Sequence, residues 1–172
     1  MLTNEKIRLR ALEPEDLDLL YAWENDTNLW RMGNTLSPYS RYVLKEYIAQ
    51  SHLNIYELKQ LRLMIEQRES GKGIGVVDIY DFDSHNRKAG VGIMLDTEHQ
   101  GSGLATEALY LLIDYAFSFL KLHQLYAYVS VSNEPSKALF QRCGFSISGK
   151  LTDWISTEDG FADVLVIQRM NE

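Results

Sequence analysis

Apolar and polar positions alternate with a period of two over residues 61–67, where Leu61, Leu63 and Ile65 face one way, and this predicts a strand. Residues 74–82 and 88–95 are the longest strand candidates, joined by the polar hairpin segment Asp83-Ser84-His85-Asn86-Arg87. The period then changes. Leu104, Ala105, Ala108, Leu109, Leu112, Ile113, Ala116, Phe119 and Leu120 recur at helical spacing, predicting a helix over 103–120. A β-like run at 124–131 follows, then a helix over 134–143. Strands over 146–155 and 161–170 close the chain, with a turn at Glu158-Asp159-Gly160. Before these elements, residues 6–11 read as a strand and 14–24 and 40–51 as helices, separated by an irregular aromatic stretch at 26–39. Strands interleaved with helices around hairpins predict an α/β (α+β mixed) fold: a single domain, 1–172, with helices on both faces of a mixed sheet.

The joint between the strand at 88–95 and the helix at 103–120 carries the first chemistry. Gln100-Gly101-Ser102-Gly103-Leu104-Ala105 is a short Gly-rich loop running into a helix start. The first helical amides lack intrahelical partners, and the helix dipole adds about half a positive charge there. Glycines let a phosphate approach the backbone, so the loop suits a pyrophosphate. It matches neither the Gly-x-Gly-x-x-Gly of a dinucleotide fold nor the Gly-Lys-Ser/Thr of a P-loop. A tight strand-to-helix turn is the other reading of the same glycines.

A second segment lies about thirty residues on. Asn133-Glu134-Pro135-Ser136-Lys137-Ala138-Leu139-Phe140-Gln141-Arg142-Cys143-Gly144-Phe145 has an N-cap residue, a proline in the first turn and a glycine stop. Together with Gln100, Gly103 and Ala105, the residues Asn133, Ser136, Leu139, Phe140, Gly144 and Phe145 resemble the two coenzyme A motifs of the GCN5-related N-acetyltransferase (GNAT) superfamily. The opening, Ile7-Arg8-Leu9-Arg10-Ala11-Leu12 and then Glu13-Pro14-Glu15-Asp16-Leu17, resembles its polyamine and ribosomal-protein branch.

The resemblance implies a central sheet of about seven strands, two of which splay apart to admit the pantetheine arm. It implies acetyl-CoA as cosubstrate, held by Met94, Leu95, Gln100, Gly101, Ser102, Gly103, Leu104, Ala105, Asn133, Ser136 and Phe140; so anionic a ligand needs local donors in an acidic chain, and Lys137 and Arg142 are the candidates. It implies a primary amine as acceptor: a polyamine such as spermidine, or the N-terminus of a ribosomal or other protein. A non-catalytic acetyl-CoA-binding module is the reading from a different class. No metal is required.

The charge balance fits this reading. Seventeen Lys and Arg against 24 Asp and Glu leave a net charge of -7, which argues against nucleic acid and suits a cationic substrate. One cysteine, Cys143, excludes an internal disulfide. No segment reads as a signal peptide or a membrane span, so a cytoplasmic location without membrane contact is expected. A homo-oligomer remains open.

Acetyl transfer needs a neutral amine, a donor for the developing oxyanion and a proton for the departing sulfur. The resemblance places the donor in the backbone around Met94 and Leu95. It places a sulfur-protonating tyrosine where this chain has Phe140, and a glutamate where it has Gly90. Solvent, Tyr128 or Ser132 are the alternatives for the proton. For the base, Asp78 lies between Val76 and Tyr80, and an apolar neighbourhood there would raise its pKa. Asp81 is the second candidate; in a regular strand it faces away from Asp78. Trp30 and Tyr39 are candidates for the acceptor pocket, with Asp78.

Overall fold

The computed structural model describes residues 1–30 and 35–172; residues 31–34, inside the stretch expected to be irregular, lie outside the described residues. One sheet of seven strands runs through the molecule: β1 (Ile7–Arg10), β2 (Leu61–Gln67), β3 (Lys72–Asp83), β4 (Lys88–Leu95), β5 (Gln124–Ser130), β6 (Ser146–Thr157) and β7 (Gly160–Met170). Its order is β1-β2-β3-β4-β5-β7-β6, antiparallel throughout except for β4 against β5. That parallel pair needs a crossover, and α5 (Leu104–Asp114) with its π-helical extension Tyr115–Phe119 supplies it.

The two faces bury different layers. On one, Ala108, Leu109, Leu112 and Ile113 of α5 pack with Val77, Ile79, Val91 and Leu125. On the other, Leu20 and Trp23 of α1 (Leu17–Glu24) and Leu44 and Ile48 of α3 (Arg41–Gln50) cover Met64 and Val76. Between these helices lies the short α2 (Thr27–Trp30), and α4 (Ile55–Leu58) precedes β2; four-residue helices carry too little periodicity to be predicted. The last helix, α6 (Glu134–Arg142), follows β5. The predicted helix over 103–120 is present but widens to π-type pairing in its last turn.

Candidate active site

The site begins where β4 and β5 part. They pair at Lys88↔Gln124, Ala89↔Leu125 and Gly90↔Tyr126, and beyond that rung the two strands share no ladder among the described residues. β4 stays bonded to β3 and β5 to β7, so the gap is held open from both sides. Pairing also fixes which peptide groups face it. Asp96 N donates to Ile74 O at 2.9 Å, and the register pairs Val76 with Met94. Hydrogen-bonded pairs alternate along an antiparallel ladder, so Met94 turns its peptide groups to β3, while Ile93 and Leu95 turn theirs to the gap. Of the expected pair, then, Leu95 faces the opening. Met94 packs its side chain against the α1–α3 layer. Ile93, not singled out from sequence, faces the gap too.

The Gly-rich loop follows at the mouth of the gap. Asp96 accepts from the His99 amide at 3.1 Å and contacts its Nδ1 at 2.5 Å, and Gln100 Nε2 donates to Leu95 O at 3.2 Å. Gly101 and Gly103 have φ of +74° and +83°, and no heavy atom lies within 4 Å of a Cβ built on either. Gly103 is the N-cap of α5 and brings no side chain to its amides. Ser102 Oγ donates to His99 O and lies 3.4 Å from the Leu104 amide. An open turn with left-handed glycines ahead of an uncapped helix start fits a pyrophosphate.

α6 flanks the same region. The Asn133 side chain accepts from the Ser136 amide at 3.1 Å, as an N-cap should. Lys137 Nζ donates to Val131 O at 2.7 Å and to Glu134 at 2.5 Å, closing the joint between β5 and α6; it does not stand free as an anion donor. Arg142 Nη1 donates to Thr106 Oγ1 in the first turns of α5 at 3.2 Å, which holds a guanidinium near the loop. Phe140 is buried, edge-to-face with Phe145 at 5.0 Å between centroids. Cys143 is fully buried, and desolvation pushes its thiol up to about 11.

The sheet face beside the gap is acidic and aromatic. Asp78 is not in the apolar surround that its neighbours in sequence suggest. Its two oxygens accept from Arg62 Nε and Nη2 at 2.7 and 2.9 Å, while Arg62 Nη1 donates to Glu24 at 2.5 Å. The guanidinium also lies 5.9 Å from the Tyr47 ring. Trp30 Nε1 donates to Glu24 O at 2.6 Å, and the Tyr39 backbone N–H and C=O bond the Asn25 side chain at 2.8 and 3.0 Å. The Trp30 ring and the Tyr39 backbone are therefore tied to the end of α1, beside Glu24 and its partner Arg62.

A bulge changes the reading of Asp81. The β3–β4 register shifts between Tyr80 and Asp83, and Asp81 takes φ of +49°. The bulge brings Asp81 round to Tyr126, whose hydroxyl lies 3.5 Å from Oδ2. Tyr80 packs edge-to-face on Tyr126 at 6.1 Å, and Tyr126 on Tyr128 at 5.7 Å. Burial, then the neighbouring tyrosines and the carboxylates Asp81 and Asp78, raises the Tyr80 phenol well above its ordinary range. Burial and Asp81 push Tyr126 up to about 12. These phenols stay protonated at neutral pH. Arg62, Tyr80 and Tyr126 were not picked from sequence. The hairpin register that sets Tyr80 opposite Gly90, and the i, i+2 spacing of Tyr126 and Tyr128, are the signals that point to them.

Comparison with known proteins agrees with this geometry. Residues 6–146 match the family described as Acetyltransferase (GNAT) domain. The chain is 31% identical over 151 residues to the spermidine N(1)-acetyltransferase of Escherichia coli (strain K12), covering 88% of this chain and 78% of that protein. It is 33% identical over 155 residues to the putative ribosomal N-acetyltransferase YdaF of Bacillus subtilis (strain 168), covering 87% and 83%. The spermidine N-acetyltransferase of Vibrio cholerae in complex with CoA and spermine superposes with a TM-score of 0.86 at 28% identity, covering 98% of this chain and 97% of that one. A dodecameric structure of the same enzyme superposes at 0.80, with 28% identity over 98% and 95%. The chain belongs to the GNAT acetyltransferase family. It is an N-acetyltransferase with acetyl-CoA as its acetyl donor. Among the described residues no helix is long and apolar enough to cross a membrane.

Proposed function

We propose that this enzyme acetylates a primary amine of a polyamine such as spermidine. The observation that carries the reading is the face beside the β4–β5 gap, where Glu24 and Asp78 share the one guanidinium of Arg62 and Asp81 adds a third carboxylate beside the Tyr126 hydroxyl. A polycation is attracted to such a face, and the net charge of -7 adds long-range steering. The spermidine acetyltransferases among its relatives support the same acceptor.

In this reading the amides of the Gly-rich loop and the start of α5 hold the pyrophosphate, with Arg142 beside them. The Ile93 and Leu95 peptide groups bind along the gap, and an N–H there meets the carbonyl oxygen as it becomes an oxyanion. The amine nitrogen forms its bond to the acetyl carbon as the carbon–sulfur bond breaks. A free primary amine titrates near 10.4, so its proton must leave before attack, to water or to a carboxylate of this face. The sulfur leaves as thiolate or takes a proton from solvent, because Phe140 has none to give.

A peptide N-terminus is the competing acceptor, favoured by the similarity to YdaF. A CoA-release screen over polyamines, amino acids, aminoglycosides and N-terminal peptides separates the two. Turnover confined to peptides would overturn the polyamine reading. We further propose a cytoplasmic enzyme, which its single buried thiol suits, and a homo-oligomer, which sedimentation measures directly.

A further inference from the structure

Resting on the polyamine reading, we propose that Tyr80, Tyr126 and Tyr128, with Asp81, form a wall that binds a non-reacting ammonium of the acceptor. The three rings stand in a row on one sheet face, each edge-to-face with the next. Tyr126 belongs to the last rung that β4 and β5 share, so the row begins at the closed end of the gap. Tyr128, two residues further along the unpaired part of β5, is 49% exposed and offers its ring to solvent. Asp81 reaches the row only because of the bulge and its positive φ, and its Oδ2 lies 3.5 Å from the Tyr126 hydroxyl.

Aromatic faces flanked by a carboxylate attract alkylammonium groups, through the ring quadrupole and the charge together. The rings also pack along methylenes, which a carboxylate alone does not do. Position gives the wall its task. Gly90, opposite Tyr126, lies three steps along β4 from Ile93, whose peptide groups face the gap; at strand spacing that is about 10 Å. An ammonium held at the Asp81–Tyr126 end of the wall is therefore several methylenes from the nitrogen that reacts, with Tyr128 along the span between them. The wall selects acceptors with a second, distant positive charge and disfavours monoamines.

The test is calorimetry of spermidine binding to the CoA-loaded protein, with acetylation of spermidine and of butylamine measured in parallel. Tyr128→Leu and Asp81→Asn should each weaken spermidine binding about tenfold and narrow the preference for spermidine over butylamine, with acetyl-CoA affinity unchanged. Tyr128→Phe keeps the ring and should bind spermidine as the parent does. Equal losses in the Phe and Leu variants would overturn the wall, because the hydroxyl would then be the active group. Spermidine binding within twofold of the parent in both Leu and Asn variants would overturn it as well. Absence of turnover with every amine would instead overturn the polyamine reading, and the binding measurement would still judge the wall.

Discussion

The ring of Tyr80 lies against Gly90 on the neighbouring strand, so that a Cβ at position 90 would come within 2.1 Å of Tyr80 Cε2 and 2.4 Å of Cζ. The two residues are register partners in the β3–β4 ladder. This pairing explains the missing glutamate that family resemblance places at position 90. The space its side chain would take is filled by a phenol reaching over from β3. In the proposed reading, this exchange of a β4 side chain for a β3 ring rebuilds the acceptor face.

Gly90→Ala should therefore destabilise the protein by about 1–3 kcal/mol, the range for overpacking a filled site. The ring has no easy retreat, because Tyr126 packs against it. In a Tyr80→Ala background the same substitution should cost little. Urea denaturation of the four proteins forms a double-mutant cycle. An equal cost in both backgrounds would show that the two residues are not coupled.

Gly103 gives a prediction of a different kind. Its φ of +83° strains any residue with a Cβ, yet no protein atom lies within 4 Å of one built there. Gly103→Val should cost about 1–3 kcal/mol of stability through backbone strain alone. Acetyl-CoA affinity should fall more steeply, by tenfold or more, if the added methyls stand where the pyrophosphate is proposed to meet the loop. Calorimetry on the folded variant checks this; unchanged affinity would move the pyrophosphate elsewhere.

Phe140 is fully enclosed, edge-to-face with Phe145. Because its ring donates nothing, Phe140→Tyr should leave single-turnover acetyl transfer within a few-fold of the parent, or raise it. A large loss in a stable, acetyl-CoA-binding variant would mean that the pocket needs an apolar ring here.

Much of this was legible in the sequence, and what was not has a physical reason. β2 and β4 were readable to the residue, because their period and their polar hairpins agree. The Gly-rich loop was readable because positive φ selects glycine locally. The apolar surroundings expected for Asp78 are replaced by Arg62, sixteen positions earlier, because cross-strand pairs follow register, not sequence distance. Asp81 faces away from Asp78 only in a regular strand, and a one-residue bulge, which alternation alone cannot place, removes that condition. The Tyr80–Gly90 contact needed the β3–β4 register, and Glu24 needed the packing of α1 on the sheet.

The Arg62 site offers a test of a structural against a catalytic role for Asp78. Arg62 holds Asp78 of β3 and Glu24 of α1 together, with all three side chains about one-quarter exposed or less. Arg62→Met should cost about 2–3 kcal/mol, since it leaves two half-buried carboxylates facing each other. Lysine should restore only part of this, for want of the guanidinium fork. Asp78→Asn should likewise lower stability, with a loss in kcat/KM below tenfold. A loss near 10²-fold at unchanged stability would instead identify Asp78 as the proton acceptor.

The last prediction concerns acid. Arg10 donates to Glu66 at 2.5 Å and to both oxygens of Asp16 at 2.7 and 2.9 Å, while Arg8 donates to Glu66 at 2.6 Å. Burial opposes ionisation of Asp16, but bonds from Arg10 and the Glu13 amide outweigh it and hold the carboxyl below its ordinary value. Burial likewise opposes ionisation of Glu66, and bonds from Arg10 and Arg8 outweigh it. A carboxylate depressed in the folded state adds stability above its unfolded value, and that stability is lost as pH falls through the folded value. Unfolding free energy should therefore be flat near neutrality from this source and fall from about pH 4.5 downwards. Arg10→Met removes the shared partner. It should destabilise by about 2–4 kcal/mol at pH 7 and flatten the acid limb, because Asp16 then keeps only the Glu13 amide and Glu66 only Arg8, and both gain less by ionising. Urea denaturation between pH 3 and 7 measures both. An acid limb equally steep in the variant would place the acid-sensitive groups elsewhere in the fold.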